Sequence, residues 1–304
     1  MKVAILSMLS GSFDPYWSEV ERGVNAAREH FEIDVEYLAP GPEVSHENDI
    51  TRWQEHTARR IAGAPDVKAV AAAVLDAGRA PAIIKSITNA GIPCITFDTD
   101  APQSTRSFFV GTNNRIAGNT CAYVLAKLIE FQGRIIIDTP SLTVNSCKQR
   151  IEGFREVMGR YARIEIVRQV CGQENEAAMR KAAEQTLGDI PDLKGIFCAS
   201  GTSARINAEI LQASGRAGQV KIVSMDAGKR LLELLRRDII QMTVAQRPYS
   251  MGFRLMDFLY QIARRGLDTV MRGIPESRIV DTGIHQVTSR TLDSFLENRR
   301  KLQA

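Results

Sequence analysis

The groups in this chain best suited to chemistry are polar and aromatic side chains that stand just past apolar, strand-like runs. Phe13, Asp14, Tyr16 and Trp17 follow the first such run, Asp98 and Asp100 the fourth, and Asp226 comes directly after Met225. Asn145 and Arg150 lie near the start of a helical pattern, and Gln246 lies just beyond Val244. Carboxylates only accept hydrogen bonds, amides donate and accept, an arginine donates through a rigid fork, and Tyr or Trp offers a flat apolar face. This inventory suits a neutral solute whose hydroxyls both donate and accept above C–H faces that lie flat on a ring. In a closed site each missed hydrogen bond costs on the order of 1 to 3 kcal/mol, so selectivity would follow from satisfying every hydroxyl. A phosphate ligand is disfavoured, because no glycine-rich strand-to-helix loop leads into Lys and Ser/Thr at nucleotide-binding spacing. Catalysis is not expected: there is no G-x-S-x-G elbow and no HExxH, and His30, His46, His56 and His285 fall away from the ends of the key strands.

Each residue also has a purely structural reading. Tyr16 and Trp17 follow a proline and could simply cover the end of a core. Asp98 and Asp226 could cap a turn or the next helix, Arg150 could be an ordinary helix-surface residue, and Gln246 could begin a turn. Asp98 and Asp100 are two apart in a loop, a spacing that does not establish a paired acid.

These residues need elements to hold them. Apolar runs of strand length fall at 3–9, 33–38, 68–72, 94–97, 108–110, 134–137, 164–170, 195–198, 220–225 and 241–244. Between them lie helical patterns that begin at Tyr16 and Lys229, one that runs on through Ile61, and others at 80–90, 116–129, 145–158, 176–187 and 204–213. Strands alternating with helices of this length imply α/β architecture with parallel sheets covered by helices on both faces. In such sheets ligands bind beyond the C-terminal ends of the strands, which is where the candidates fall.

Length and composition set the frame. At 304 residues and 44% hydrophobic content the chain has room for two cores, so two lobes are expected. The 39 basic and 35 acidic residues are interspersed, and a net charge of +4 argues against a nucleic-acid partner. The five cysteines contain no CxxC pair and read as small buried hydrophobes rather than as disulfide or metal ligands, so no metal or cofactor is expected. The opening MKVAILSML is too short to span a bilayer and lacks a cleavage site, and no later stretch is long enough to span one.

Six segments then carry a resemblance: FDPYW at 13–17, GIPCITFDTDAP at 91–102, FVGTNNRIAG at 109–118, RIEGF at 150–154, VKIVSMDAG at 220–228 and VAQRPYSMGF at 244–253. Together and in this order, they resemble the type 1 periplasmic sugar-binding proteins of bacterial ABC importers, the ribose-binding group in particular. The resemblance implies a periplasmic binding protein type 1 fold, two Rossmann-like three-layer α/β/α lobes joined by a three-strand hinge. It places 1–112 with 246–279 in one lobe and 113–245 with 280–304 in the other, with the ligand in the cleft between them. By the same resemblance Tyr16 and Trp17 are the aromatic pair on the sugar, Asp98 and Asp226 the binding aspartates, Arg150 the arginine of the second lobe and Gln246 the crossover glutamine. Asp14 stands where ribose binders have an amide.

There are departures. Thr99 and then Asp100 follow the first aspartate where ribose binders have an arginine, and Ser200, Gly201 and Thr202 stand where they carry Asn or Asp. Ser200 and Thr202 therefore join the candidates, and ribose itself becomes doubtful while the broad class survives. The implied protein is monomeric and non-enzymatic. It binds a neutral monosaccharide or sugar alcohol, hands it to a membrane permease, and works in the periplasm once a leader has been removed. A native start at Met1 would point instead to a cytoplasmic sensor, or to an effector domain like those of sugar-responsive repressors, although the chain starts directly with a strand and leaves no room for a helix-turn-helix.

Overall fold

The computed structural model describes residues 1–12, 14–44, 46–172 and 175–301. In chain order the elements begin β1 (Lys2–Leu6), α1 (Pro15–Phe31), β2 (Asp34–Leu38), α2 (Glu47–Ala62), β3 (Val67–Ala72), α3 (Ala80–Thr88), β4 (Cys94–Phe97) and β5 (Phe109–Gly111). They continue with α4 (Asn114–Leu128), β6 (Gly133–Thr139), α5 (Asn145–Met158), β7 (Ile164–Cys171), α6 (Glu176–Asp189), β8 (Leu193–Cys198), α7 (Gly201–Ala213), β9 (Lys221–Met225), α8 (Lys229–Arg236) and β10 (Met242–Ala245). The last are α9 (Pro248–Arg265), α10 (Leu267–Met271), β11 (Ile279–Asp281), β12 (His285–Val287) and α11 (Leu292–Lys301). The chain falls into two compact units: Met1–Asn113 with Thr143–Ser146 and Arg247–Gly283, and Asn114–Leu142 with Cys147–Gln246 and Ile284–Ala304.

The first unit holds a parallel sheet of order β11-β5-β4-β3-β1-β2. Its strands alternate between two cores. Val3, Ile5, Ala69, Ala71, Ile95, Phe97 and Val110 face α1 and α9, whereas Ala4, Leu6, Val70, Ala72 and Cys94 face α2 and α3. A period of two with both faces covered is what turns these strands into unbroken apolar runs. Helices α1 and α9 cross backbone to backbone: a Cβ on Gly23 would lie 2.1 Å from the Tyr249 carbonyl oxygen, and one on Gly252 would lie 2.1 Å from that of Val20.

The second unit repeats the plan with the order β12-β10-β9-β8-β6-β7. Ile135, Ile137, Phe197, Ala199, Val223, Met225 and Val244 pack on α4 and α5, and Ile136, Ile196, Cys198 and Ile222 pack on the α7 and α8 side. Gly118 and Gly153 form the matching helix crossing, each 2.0 to 2.1 Å from the opposing carbonyl oxygen of Arg150 or Arg115 if given a Cβ.

Two expectations need correction. The second sheet is mixed, because β12 runs antiparallel to β10. The boundary expected at 279/280 would cut β11, whose Ile279, Val280 and Asp281 pair with Phe109, Val110 and Gly111 of the first sheet; the chain passes to the second unit after Gly283 instead.

Candidate functional site

The two strand orders match position for position, so β4 and β9 are topological counterparts. Each ends in an aspartate in the left-handed region, Asp98 at φ 60° and Asp226 at φ 74°. Each donates its amide to the neighbouring strand, Asp98 to the Val110 carbonyl at 3.3 Å and Asp226 to the Val244 carbonyl at 2.9 Å. Around Asp98 the chain closes a three-residue turn, with the Thr99 amide 2.7 Å from the Phe97 carbonyl oxygen. Non-glycine residues in this region are strained, and such strain clusters at functional sites.

In the first unit the Tyr16 hydroxyl donates to Asp98 Oδ1 at 2.6 Å. Asp14 caps α1, and its Oδ1 accepts the amides of Tyr16 at 2.7 Å and Trp17 at 3.2 Å. That carboxylate therefore organises the helix start through one of its oxygens. Trp17 is corrected: it is 3% exposed, lies in the core of this unit, and meets Phe97 edge-on at 5.9 Å. Its ring is packing rather than a free platform. Asp100 is committed as well, and the ligand role expected of it gives way. Its carboxylate is buried, forms a fork with Arg106 Nε and Nη2, and accepts from Thr96 Oγ1 at 2.8 Å and from the Ala101 amide at 2.7 Å. Asn145, in the stretch that groups with this unit, donates Nδ2 to the Asp100 carbonyl at 2.8 Å. Phe13 lies outside the described residues.

In the second unit Asp226 Oδ2 accepts the Gly201 amide at 3.0 Å and Oδ1 accepts Gln246 Nε2 at 2.8 Å. Gln246 thus orients a carboxylate rather than merely opening a turn. Arg150 is no surface residue: at 5% exposure it donates Nε to Asn114 Oδ1 at 2.8 Å and Nη1 to the Ala199 carbonyl at 2.9 Å. Ser200 caps α7, its hydroxyl oxygen accepting the Ser203 amide at 3.2 Å, so its side chain has a helix-end task. Thr202 is exposed in the first turn of α7.

Three organising residues escaped the sequence reading. Buried Gln54 ties the ends of β1 and β3 together, donating to Ser7 and Ala73 carbonyls at 3.3 and 2.7 Å and accepting the Leu75 amide at 3.1 Å. Its signal was there, because Ile50, Gln54, Ala58 and Ile61 form one buried helical stripe. Arg106 and Asn114, by contrast, act through partners that no periodic pattern announces, Asp100 across a short loop and Arg150 36 residues on.

The five cysteines are all free thiols, four of them buried, and burial pushes the Cys94 thiol up to about 12. Burial likewise raises Cys121 and Cys198, so these thiols are neutral packing groups. Among the described residues no cluster of His, Cys, Asp or Glu could hold a metal, and no helix is long and apolar enough to cross a membrane.

Residues 5–267 match the family described as periplasmic binding protein domain. A D-ribose/D-allose-binding protein of Pseudomonas aeruginosa is 25% identical over 252 residues, 81% of this chain and 77% of that one. A solute-binding protein of an ABC transporter from Burkholderia graminis, solved with D-arabinose, is 25% identical with a TM-score of 0.83 over 97% of both chains. An arabinose-binding protein from Geobacillus stearothermophilus is 28% identical with a TM-score of 0.75, covering 97% of this chain and 98% of its own.

Proposed function

Because this chain belongs to the periplasmic binding protein domain family, we propose that it is the solute-binding component of an ABC importer and takes a neutral monosaccharide or sugar alcohol without altering it. The observation that carries the reading is the pair of aspartates at matching strand ends. Asp98 and Asp226 are both held in a strained backbone conformation, and both carboxylates are oriented by a fixed donor. Carboxylates aimed beyond strand ends accept hydroxyl protons, and Arg150 adds a buried cationic donor in the second unit. The named relatives bind ribose, allose or arabinose. On this reading the chain works in the periplasm and delivers its solute to a membrane permease. Buried thiols are compatible with an oxidising compartment because they are shielded from exchange.

The test is a panel of D-ribose, D-allose, D-arabinose, D-galactose and ribitol, read by thermal shift and calorimetry, with each solute weighed by mass spectrometry afterwards. At least one should raise the melting temperature saturably and be recovered unchanged. A panel without any shift, or the appearance of a product, would refute the proposal.

A further inference from the structure

Asp98 does not stand alone at its strand end. Asp14 pins the amides of Tyr16 and Trp17 at the first turn of α1. The Trp17 ring is edge-on to Phe97 at 5.9 Å, and the Tyr16 ring is edge-on to Trp17 at 5.7 Å. Phe97 is the residue before Asp98, and the Tyr16 hydroxyl returns to Asp98 Oδ1 at 2.6 Å. Two pairs of chain neighbours, 16–17 and 97–98, are thus closed into one circuit by the Trp17–Phe97 ring contact and one short hydrogen bond, with the Tyr16–Trp17 contact bracing the first pair. With backbone and ring both fixed, the hydroxyl reaches Asp98 with little rotamer freedom left to lose.

We propose that Tyr16 is a positioning residue, its hydroxyl fixing the Asp98 carboxylate for ligand, and that the hydroxyl rather than the face of the ring is its contribution to binding. The inference rests on the sugar-binding reading of Asp98. A phenol donating to a carboxylate makes a charge-assisted bond, short and stronger than a neutral one. It also favours the ionised form, so the carboxylate remains an acceptor to lower pH. A carboxylate offers about four acceptor sites, so a single hydrogen bond orients it without exhausting it. Tyr37 also feels the Asp98 charge; its hydroxyl is held up mainly by burial and further by Glu21 and Asp98.

The test is Tyr16→Phe, which keeps the ring and deletes the donor. Two measurements are needed on the full chain: calorimetric affinity for whichever panel sugar the wild type binds, across pH, and the Asp98 carboxyl titration by carbon-13 NMR, assigned with Asp98→Asn. The variant should melt close to wild type and bind about tenfold or more weakly, with affinity falling off at higher pH than in wild type. The Asp98 midpoint should rise. Affinity within about twofold of wild type with an unmoved pH profile would overturn the proposal and return Tyr16 to a ring-only role. Should the wild type bind no sugar in the panel, the sugar reading fails by itself. The carboxyl titration then decides this one, since a midpoint unmoved by Tyr16→Phe would show that the hydroxyl does not set Asp98.

Discussion

Asp138→Asn should stabilise the second unit at neutral pH and erase a pH dependence that the wild type shows in mild acid. Asp138 lies on β6 at 2% exposure, and Asn207 Nδ2 donates to its Oδ2 at 2.6 Å. Burial pushes its carboxyl from the ordinary 3.8 up to about 6, with the bonds from Asn207 and Ser203 pulling the other way. The folded chain therefore holds a proton that the unfolded chain has released between about pH 4 and about pH 6. The stability this lends is fully present below the unfolded value and is lost as pH rises through about 6. A gap of about two pH units at about 1.4 kcal/mol each sets the loss at about 3 kcal/mol. Asparagine is neutral at every pH and keeps an oxygen for the Asn207 amide. The variant should thus gain up to about 3 kcal/mol near pH 7.5, a rise of several degrees in melting temperature, and gain almost nothing near pH 4. Urea unfolding followed by circular dichroism across this range would read the difference. Both tryptophans, Trp17 and Trp53, belong to the first unit, so fluorescence identifies which transition moves. A wild-type-minus-variant difference that is flat with pH, or a variant less stable near pH 7.5, would refute the reasoning.

Two further outcomes follow from buried side chains. Arg106→Met leaves the Asp100 carboxylate in the interior without its partner and should cost about 3 to 5 kcal/mol in urea unfolding, while adding Asp100→Asn should recover part of it; a double variant no better than the single would mean the charge is not the cause. Trp17→Ala empties a site packed by Phe97 and the helix stripe and should cost about 3 to 5 kcal/mol, whereas a melting temperature within about one degree of wild type would put the ring back on a wet surface.

The case of Trp17 shows how the sequence could have been read further. Trp17, Val20, Val24 and Ala27 are the buried stripe of α1, spaced at 3, 4 and 3 residues, so helical periodicity alone assigns the tryptophan to the core. Tyr16 is one step, about 100°, off that stripe, which leaves it half-buried at the edge and able to reach a strand end. Treating the two rings as a pair obscured the difference. Most strands were legible because covered faces make continuous apolar runs, as in Ile135, Ile136 and Ile137 of β6. The strands β11 and β12 were not, since each is only three residues long, β11 with two half-buried residues and an exposed Asp281, β12 with Val287 alone buried, and neither carries such a run. Helix α9 was legible in principle, as its buried Met251, Leu255, Met256, Leu259 and Ile262 keep helical spacing. The Asp100–Arg106 pair had no signal, because six residues of loop have no period and only the fold brings the fork together.

The two strand-end aspartates raise a physical question of their own, which is why an L-residue occupies a conformation that glycine would adopt without strain. A non-glycine residue in the left-handed region costs on the order of 1 kcal/mol or more, and glycine there would relieve it. What glycine could not supply is the carboxylate. At each strand end the aspartate amide returns to the next strand, at Val110 and Val244, while the carboxylate is held from outside that strand, by Tyr16 for Asp98 and by Gly201 and Gln246 for Asp226. Strain at these positions is therefore the cost of aiming an acceptor past the strand end, and the tethers set the aim. They differ in kind. Asp98 takes a phenol from a helix braced by aromatic packing, whereas Asp226 takes an amide from Gln246 and a backbone N–H from Gly201. A Cβ at Gly201 would come within 3.3 Å of the Asp226 Cβ, so the absent side chain is what lets that amide approach to 3.0 Å without crowding. The matching topology puts each carboxylate at the same place in its own sheet, and the unlike tethers give each its own set of donors and its own orientation.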